Sequence, residues 1–208
     1  MNNILIIGAG VIGLSCGYHL AQKGLKVTII DKNKPGSGQS TRTGGGIRFL
    51  HGSKHNCILS SLSEQFWEKF PHKFDTNPNY NEIGHLFLSA ENKKVNQLIN
   101  GNEDKKFKIL NSNEINSIWP HLNALQFDQG VYCKNGGYLN QHQVISGLVT
   151  GFQKLGGSLL VGVRAKTLIL SDGKVQGINS SIGPLTADIT INCSGADVGD
   201  LTKYDNIK

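Results

Sequence analysis

The chain has 208 residues, is 38% hydrophobic and carries a formal net charge of +6, so it can bury a sizeable core as one large domain or two small interleaved ones. The basic residues are scattered, and their densest group, Lys105-Lys106-Phe107-Lys108, reads as a solvated turn and strand edge, so no nucleic-acid partner is expected. The four cysteines, Cys16, Cys57, Cys133 and Cys193, form no CxxC pair, which gives no spacing for a zinc site or a redox dithiol and fits reduced thiols in a cytoplasmic protein.

The first predicted element is an apolar strand, Ile4-Leu5-Ile6-Ile7, running into Gly8-Ala9-Gly10-Val11-Ile12-Gly13 and a helix that lasts to about Lys23. A second strand, Val27-Thr28-Ile29-Ile30, ends on Asp31, close to the spacing of a dinucleotide fingerprint. Gly8 makes the tight turn out of the strand, Gly10 lets the backbone approach a pyrophosphate, and Gly13 lets the helix pack on the strand. The helix directs its first N–H groups, those of Val11 and Ile12 among them, at phosphate, and Asp31 accepts hydrogen bonds from a ribose diol. NAD and FAD present the same diol, so this unit alone leaves the dinucleotide open. Residues 4–14 lack a basic flank and are too short to span a bilayer, so neither a membrane span nor targeting to a membrane is expected.

The glycine- and hydroxyl-rich stretch from Pro35 to Arg48 follows. Its Ser, Thr and Arg side chains and bare amides suit a pyrophosphate or a flavin edge, with a flexible linker as the alternative. Residues 59–70 carry Leu59, Leu62, Phe66 and Phe70 at helical spacing, and Pro71 is expected to stop that helix, with Trp67 in the core. Strands are expected at 83–88 and 108–110, a short helix from Ser112 to before Pro120, and a strand over 124–132. After the Gly136-Gly137 turn, residues 141–155 read as a helix closed by Gly156-Gly157. Short strands follow at 158–163, 166–170 and 174–180, the last two joined by the Ser171-Asp172-Gly173 turn. A final strand over 188–193 runs into Ser194-Gly195-Ala196, where a second backbone approach to a cofactor is expected. The order is not that of two equal mononucleotide halves, which weighs against nicotinamide. His51 and His55 read as solvated or capping groups rather than proton carriers.

In this order the residues Gly8 to Gly13, Ser40-Thr41-Arg42-Thr43-Gly44-Gly45-Gly46-Ile47-Arg48, Gly130-Val131-Tyr132, Gly136 to Asn140 and Asn192-Cys193-Ser194-Gly195-Ala196 resemble the FAD-dependent amine oxidoreductases of the D-amino-acid oxidase superfamily, above all the glycine oxidase and sarcosine oxidase β-subunit branch with its related proline dehydrogenases. The resemblance implies an α/β fold: a Rossmann-like FAD-binding domain, residues 1–75 and 138–208, interleaved with part of an α+β substrate domain, 76–137. It implies non-covalent FAD held by Gly8, Gly10, Val11, Ile12 and Gly13, by Asp31 and Lys32, by Ser40, Thr41 and Arg42, by Gly45, Gly46 and Ile47, by the backbone at Ala165 or Lys166, and by Cys193, Ser194 and Gly195. His142 lies near the place where some relatives attach a second flavin, but the register puts Gln141 there, so no covalent flavin is expected.

By the same resemblance the C–N bond of a small amino acid or N-methyl amino acid is oxidised by hydride transfer to flavin. Arg48 is the candidate catalytic residue, facing the flavin or the substrate carboxylate, because a guanidinium fork matches a carboxylate bidentately; a surface salt bridge is the alternative. Oxidation of a 2-hydroxy acid or glycerol 3-phosphate on the same fold, and a non-catalytic FAD- or ADP-binding subunit, are the rival readings. The family is about twice this length, so its C-terminal FAD segment is expected to lie outside this chain. A gene fragment, a split subunit completed by a second polypeptide and a shortened chain all fit, and exposed apolar surface would favour a homodimer.

Overall fold

A computed structural model describes residues 3–101 and 107–202; Lys105 and Lys106 of the basic group lie outside the described residues. In chain order the elements are β1 (Asn3–Ile7), α1 (Val11–Gln22), β2 (Lys26–Asp31), β3 (Gly46–Ile47), α2 (Lys54–Phe74), β4 (Asn81–Glu82), β5 (His85–Ser89), α3 (Asn92–Gly101) and β6 (Phe107–Asn111). They continue with α4 (Ser112–Ile118), β7 (Gln129–Cys133), β8 (Gly137–Tyr138), α5 (Gln141–Lys154), β9 (Ser158–Val161), β10 (Ala165–Ser171), β11 (Lys174–Ser180), β12 (Gly183–Thr186), β13 (Ile189–Asn192) and α6 (Val198–Thr202). They group into two units: one built from the chain up to Thr43, Pro71–Pro78 and the chain from Gln141 onward, the other from Gly44–Phe70 and Asn79–Asn140. Residues 44–70, expected with the nucleotide-binding part, pack instead with 79–140.

The first unit is a four-stranded parallel sheet in the order β13-β1-β2-β9. Parallel strands in an α/β unit are covered on both faces, which is why β1 and β2 read as continuous apolar runs. On one face Ile29 meets α1 at Gly17 and α5 through Phe152; a Cβ on Gly17 would lie 2.6 Å from Ile29 Cδ1 and 3.3 Å from Phe152 Cε2. On the other face Leu5, Ile7 and Ile30 form a buried cluster with Val163, Ile178, Ala187 and Leu201, so the antiparallel meander β10-β11-β12 and α6 cover the sheet there. The register of β1 on β13 is clamped at its start: Asn3 N–H donates to Asp188 Oδ2 at 2.7 Å, and Asp188 N–H returns to Asn3 O at 3.0 Å. β12 was not legible in the sequence because Pro184 disguises it. At the outer edge of a three-stranded sheet a proline forfeits no ladder donor, and there it is tolerated.

The second unit holds the antiparallel sheet β5-β7-β6 and a small sheet, β3-β8-β4. Val95 and Leu98 of α3 bury against Leu50, Val131 and Cys133. Asn111 caps α4 reciprocally with Glu114, and Ile115 packs on Leu110. The strand expected over 124–132 begins only at Gln129; Ser112 Oγ donates to the Phe127 and Asp128 carbonyls and ties that loop to the start of α4.

The helix expected to end before Pro71 runs to Phe74. Pro71 lies in its last turn, where only one intrahelical bond is forfeited, and burial of Phe70 and Phe74, 0% and 2% exposed, offsets that loss. Phe74 meets the Tyr18 ring edge-on at 4.8 Å within the first unit. The apolar positions Leu59 and Leu62 are 61% and 69% exposed, so the face they form is not a core face.

Candidate functional site

In the first unit the C-terminal ends of the parallel strands open into a cavity of about 650 Å³, where ligands of open α/β sheets bind. Gly8 leaves β1 at φ +105°, and a Cβ there would stand 2.4 Å from the Cys193 carbonyl oxygen. Gly13 sits under the same turn, where a Cβ would come within 1.9 Å of Gly8 O. The loop and helix therefore approach only as glycines.

Asp31 has a role that sequence reasoning did not assign. Its Oδ2 accepts the Ala9 N–H at 2.8 Å and its Oδ1 accepts the Asn33 N–H at 2.8 Å. Each oxygen keeps a further lone pair for a ribose hydroxyl, so the carboxylate both fixes the glycine turn and faces the cavity.

The stretch after β2 is not a linker. Gly36 N–H donates to Ala9 O at 2.9 Å, Thr41 Oγ1 to Gly36 O at 2.8 Å, and Gln141 Nε2 at the start of α5 to Thr43 O at 2.7 Å. Thus anchored, Ser40 Oγ accepts the Val11 N–H at 2.9 Å and puts a hydroxyl at the N-terminus of α1.

Of the predicted contacts, Gly8, Gly10, Val11, Ile12, Asp31, Lys32, Ser40, Arg42, Ala165, Lys166, Cys193, Ser194 and Gly195 all line this one cavity. Gly13 supports it from below and Thr41 braces the loop. Gly45, Gly46 and Ile47 belong to the second unit. The sequence reading missed Val163, Arg164 and Asp197 in the lining. Val163 N–H donates to Asp31 O at 2.9 Å, and Asp197 Oδ2 takes the Lys32 ammonium at 2.6 Å. No motif announces either, because both depend on chain segments far apart in sequence meeting at the sheet's end.

The electrostatics suit a diphosphate. Arg42, Arg164 and Lys166 face the cavity, whereas Asp31 is bonded to amides and Asp197 to Lys32; Asp200 is a further acidic residue in the lining. Burial and the neighbouring Cys16 thiol push the Cys193 pKa up to about 11, which favours the protonated thiol. Amides, an α1 N-terminus with a hydroxyl beside it, three cations and a diol acceptor together fit an adenine dinucleotide.

The second unit has its own cavity, about 590 Å³, lined by Gly46, Ile47, Arg48, Phe49, His51, Leu59, Ser60, Ser63, Trp67, His85 and Gly137. Arg48 Nη2 lies 3.3 Å from His51 Nδ1, and His51 Nε2 lies 2.7 Å from Ser60 Oγ. Burial, then the Arg48 charge, hold His51 and His85 below the usual imidazole range. His51, read from sequence as solvated or capping, is thus part of this lining, while His55 is exposed on α2. Trp67, expected in the core, walls the cavity. Among the described residues no cluster of His, Cys, Asp and Glu could hold a metal ion, and no helix is long and apolar enough to cross a membrane.

Comparison with known proteins agrees with this geometry. The sequence pattern of the family described as FAD dependent oxidoreductase (DAO) matches residues 3–207. Monomeric sarcosine oxidase of Bacillus sp. (strain B-0618) is 24% identical over 203 residues, covering 93% of this chain and 51% of its own length. Glycine oxidase of Pseudomonas aeruginosa is 23% identical over 208 residues, covering 96% and 57%. The crystal structure of L-proline dehydrogenase from P. horikoshii superposes with a TM-score of 0.87 at 22% identity, over 100% of this chain and 56% of that one. The chain therefore spans a little over half the length of these relatives. Matched along nearly its whole described length and built around a dinucleotide cavity of this composition, the chain belongs to the DAO family of FAD-dependent oxidoreductases.

Proposed function

We propose that the chain is the cofactor-holding part of an oxidoreductase that oxidises the C–N bond of a small amino acid or N-methyl amino acid. The supporting observation is Arg48: it lines a cavity with an apolar wall, and among the described residues no carboxylate stands in that lining to neutralise it. A substrate carboxylate fits such a donor fork. In this reading the first unit holds FAD non-covalently through Gly8 to Gly13, Asp31, Lys32, Ser40 and Arg42, with Ala165, Lys166 and Cys193 to Gly195 closing the site. Gly45, Gly46 and Ile47 immediately precede Arg48 in the chain. When bound, FAD supplies the acceptor for a hydride from the carbon next to nitrogen. The residues of this chain orient: Arg48 takes the carboxylate, and Trp67 and Leu59 offer apolar contact to the substrate body. A second polypeptide supplying the remaining half of the family's length, a homodimer and a cytoplasmic location belong to the same reading.

The test is anaerobic mixing of the FAD-reconstituted chain, with the C-terminal half of a family member added in trans, against sarcosine, glycine, proline, lactate and glycerol 3-phosphate. Bleaching of the flavin by the amino acids alone is expected. Bleaching by lactate or glycerol 3-phosphate instead overturns the amine reading, and failure to retain FAD overturns the assignment of the first unit.

A further inference from the structure

We propose that His51 is the positioning residue of a carboxylate pocket in the second unit, holding the Arg48 guanidinium toward an anion; the proposal rests on the reading of Arg48 as the carboxylate-binding group. Arginine only donates hydrogen bonds. Its 3.3 Å contact with His51 Nδ1 therefore uses the Nδ1 lone pair, and the ring proton resides on Nε2. There it meets two acceptors, Ser60 Oγ at 2.7 Å and the Arg48 carbonyl at 3.1 Å. The imidazole is thus fastened to α2 on one side and to the Arg48 main chain, and its Nδ1 lone pair meets the guanidinium.

Such an arrangement pre-orders a long side chain that otherwise loses rotamer freedom on meeting its ligand. It also requires a neutral His51, since a protonated ring would present a donor to a donor. Burial and the Arg48 charge both favour the neutral ring; among the described lining residues the other titratable groups are Arg48 and His85, neither of them acidic, and the Cys57 thiol donates to the His51 carbonyl at 3.4 Å. Trp67 and Leu59 add an apolar wall beside the cation. The ligand class is accordingly a small carboxylate with an apolar or aromatic body.

The experiment titrates the 208-residue chain with benzoate and, as the neutral shape control, benzamide, by calorimetry at pH 8. It is paired with imidazole 15N NMR of His51. Benzoate should bind and benzamide should not. Arg48→Met should abolish binding, and His51→Leu should weaken it about tenfold, the worth of one hydrogen bond to a charged group. His51→Asn, whose amide oxygen can accept from Arg48, should recover most of the loss. The NMR signature is the Nε2–H tautomer near neutral pH, held by acceptors that Arg48→Met leaves in place, with an Nδ1 resonance that shifts in Arg48→Met as its hydrogen-bond donor is lost. Benzoate binding unchanged in His51→Leu, or a His51 Nδ1 resonance indifferent to Arg48→Met, overturns the role of His51. Absence of benzoate binding to the wild-type chain overturns the carboxylate reading beneath it.

Discussion

The carboxylate of Asp31 accepts the backbone N–H of Ala9 at 2.8 Å, across the mouth of the glycine turn. An acid that the fingerprint predicts to meet a ribose also fastens the glycine turn proposed to meet the phosphates, so its loss should be felt twice. Asp31→Ala should lower stability by about 2 kcal/mol, since it strips charged acceptors from two backbone amides, and should weaken FAD retention as well. Asp31→Asn keeps one acceptor oxygen and should fall between. Urea unfolding followed by flavin titration checks both; an Asp31→Ala chain as stable as wild type would remove the fastening role.

Gly10 and Gly13 should separate cofactor binding from folding. Gly10 has an ordinary φ of −77°, and a Cβ there would stand 3.0 Å from Ser40 Oγ. Gly10→Ala should cost less than about 1 kcal/mol of stability while displacing the hydroxyl that serves Val11, so flavin retention falls. Gly13→Ala drives a methyl into the Gly8 carbonyl and should destabilise by about 3 kcal/mol. Equal thermal midpoints for the two variants would contradict this division.

Three histidines give the stability a pH dependence. His19, His51 and His85 are each held below the ordinary 6.5, chiefly by burial, with Lys73 or Arg48 adding to it. Where the folded pKa is depressed for a base, the unfolded chain binds protons first. Their contribution is therefore complete above 6.5 and is lost as pH falls through the folded values. Thermal midpoints should fall from about pH 7.5 to 5.5, and the triple variant His19→Gln, His51→Asn, His85→Asn should show a shallower slope. A slope of the opposite sign would contradict the assignment.

Much of the first unit was legible because its signals are local. Gly8, Gly10, Gly13 and Asp31 state a strand, turn, helix and strand within a single stretch, and 174–180 was read to the residue as a strand because Asp172-Gly173 announces the turn before it. What escaped depends on partners distant in sequence. Pro71 reads as a stop until Phe74 is seen buried beside Tyr18. Pro184 hides β12 until its edge position is known. Arg164 and Asp197 join the site only when the sheet's end gathers them. His51 looked solvated because neither Ser60 nor the cavity wall is visible in a linear reading.

The clamp between Asn3 and Asp188, 185 positions apart, has a consequence for how the molecule is made. A parallel neighbour for β1 on that side comes from β13, and the turn at Gly8 rests on the carbonyl of Cys193. Contacts so distant along the chain pay their loop-closure entropy late and fold slowly. On the ribosome the glycine turn emerges long before Cys193, on whose carbonyl it rests. The glycine turn is therefore translated well before the strand that completes its floor, and the nascent chain cannot finish that part of the site until β13 has emerged.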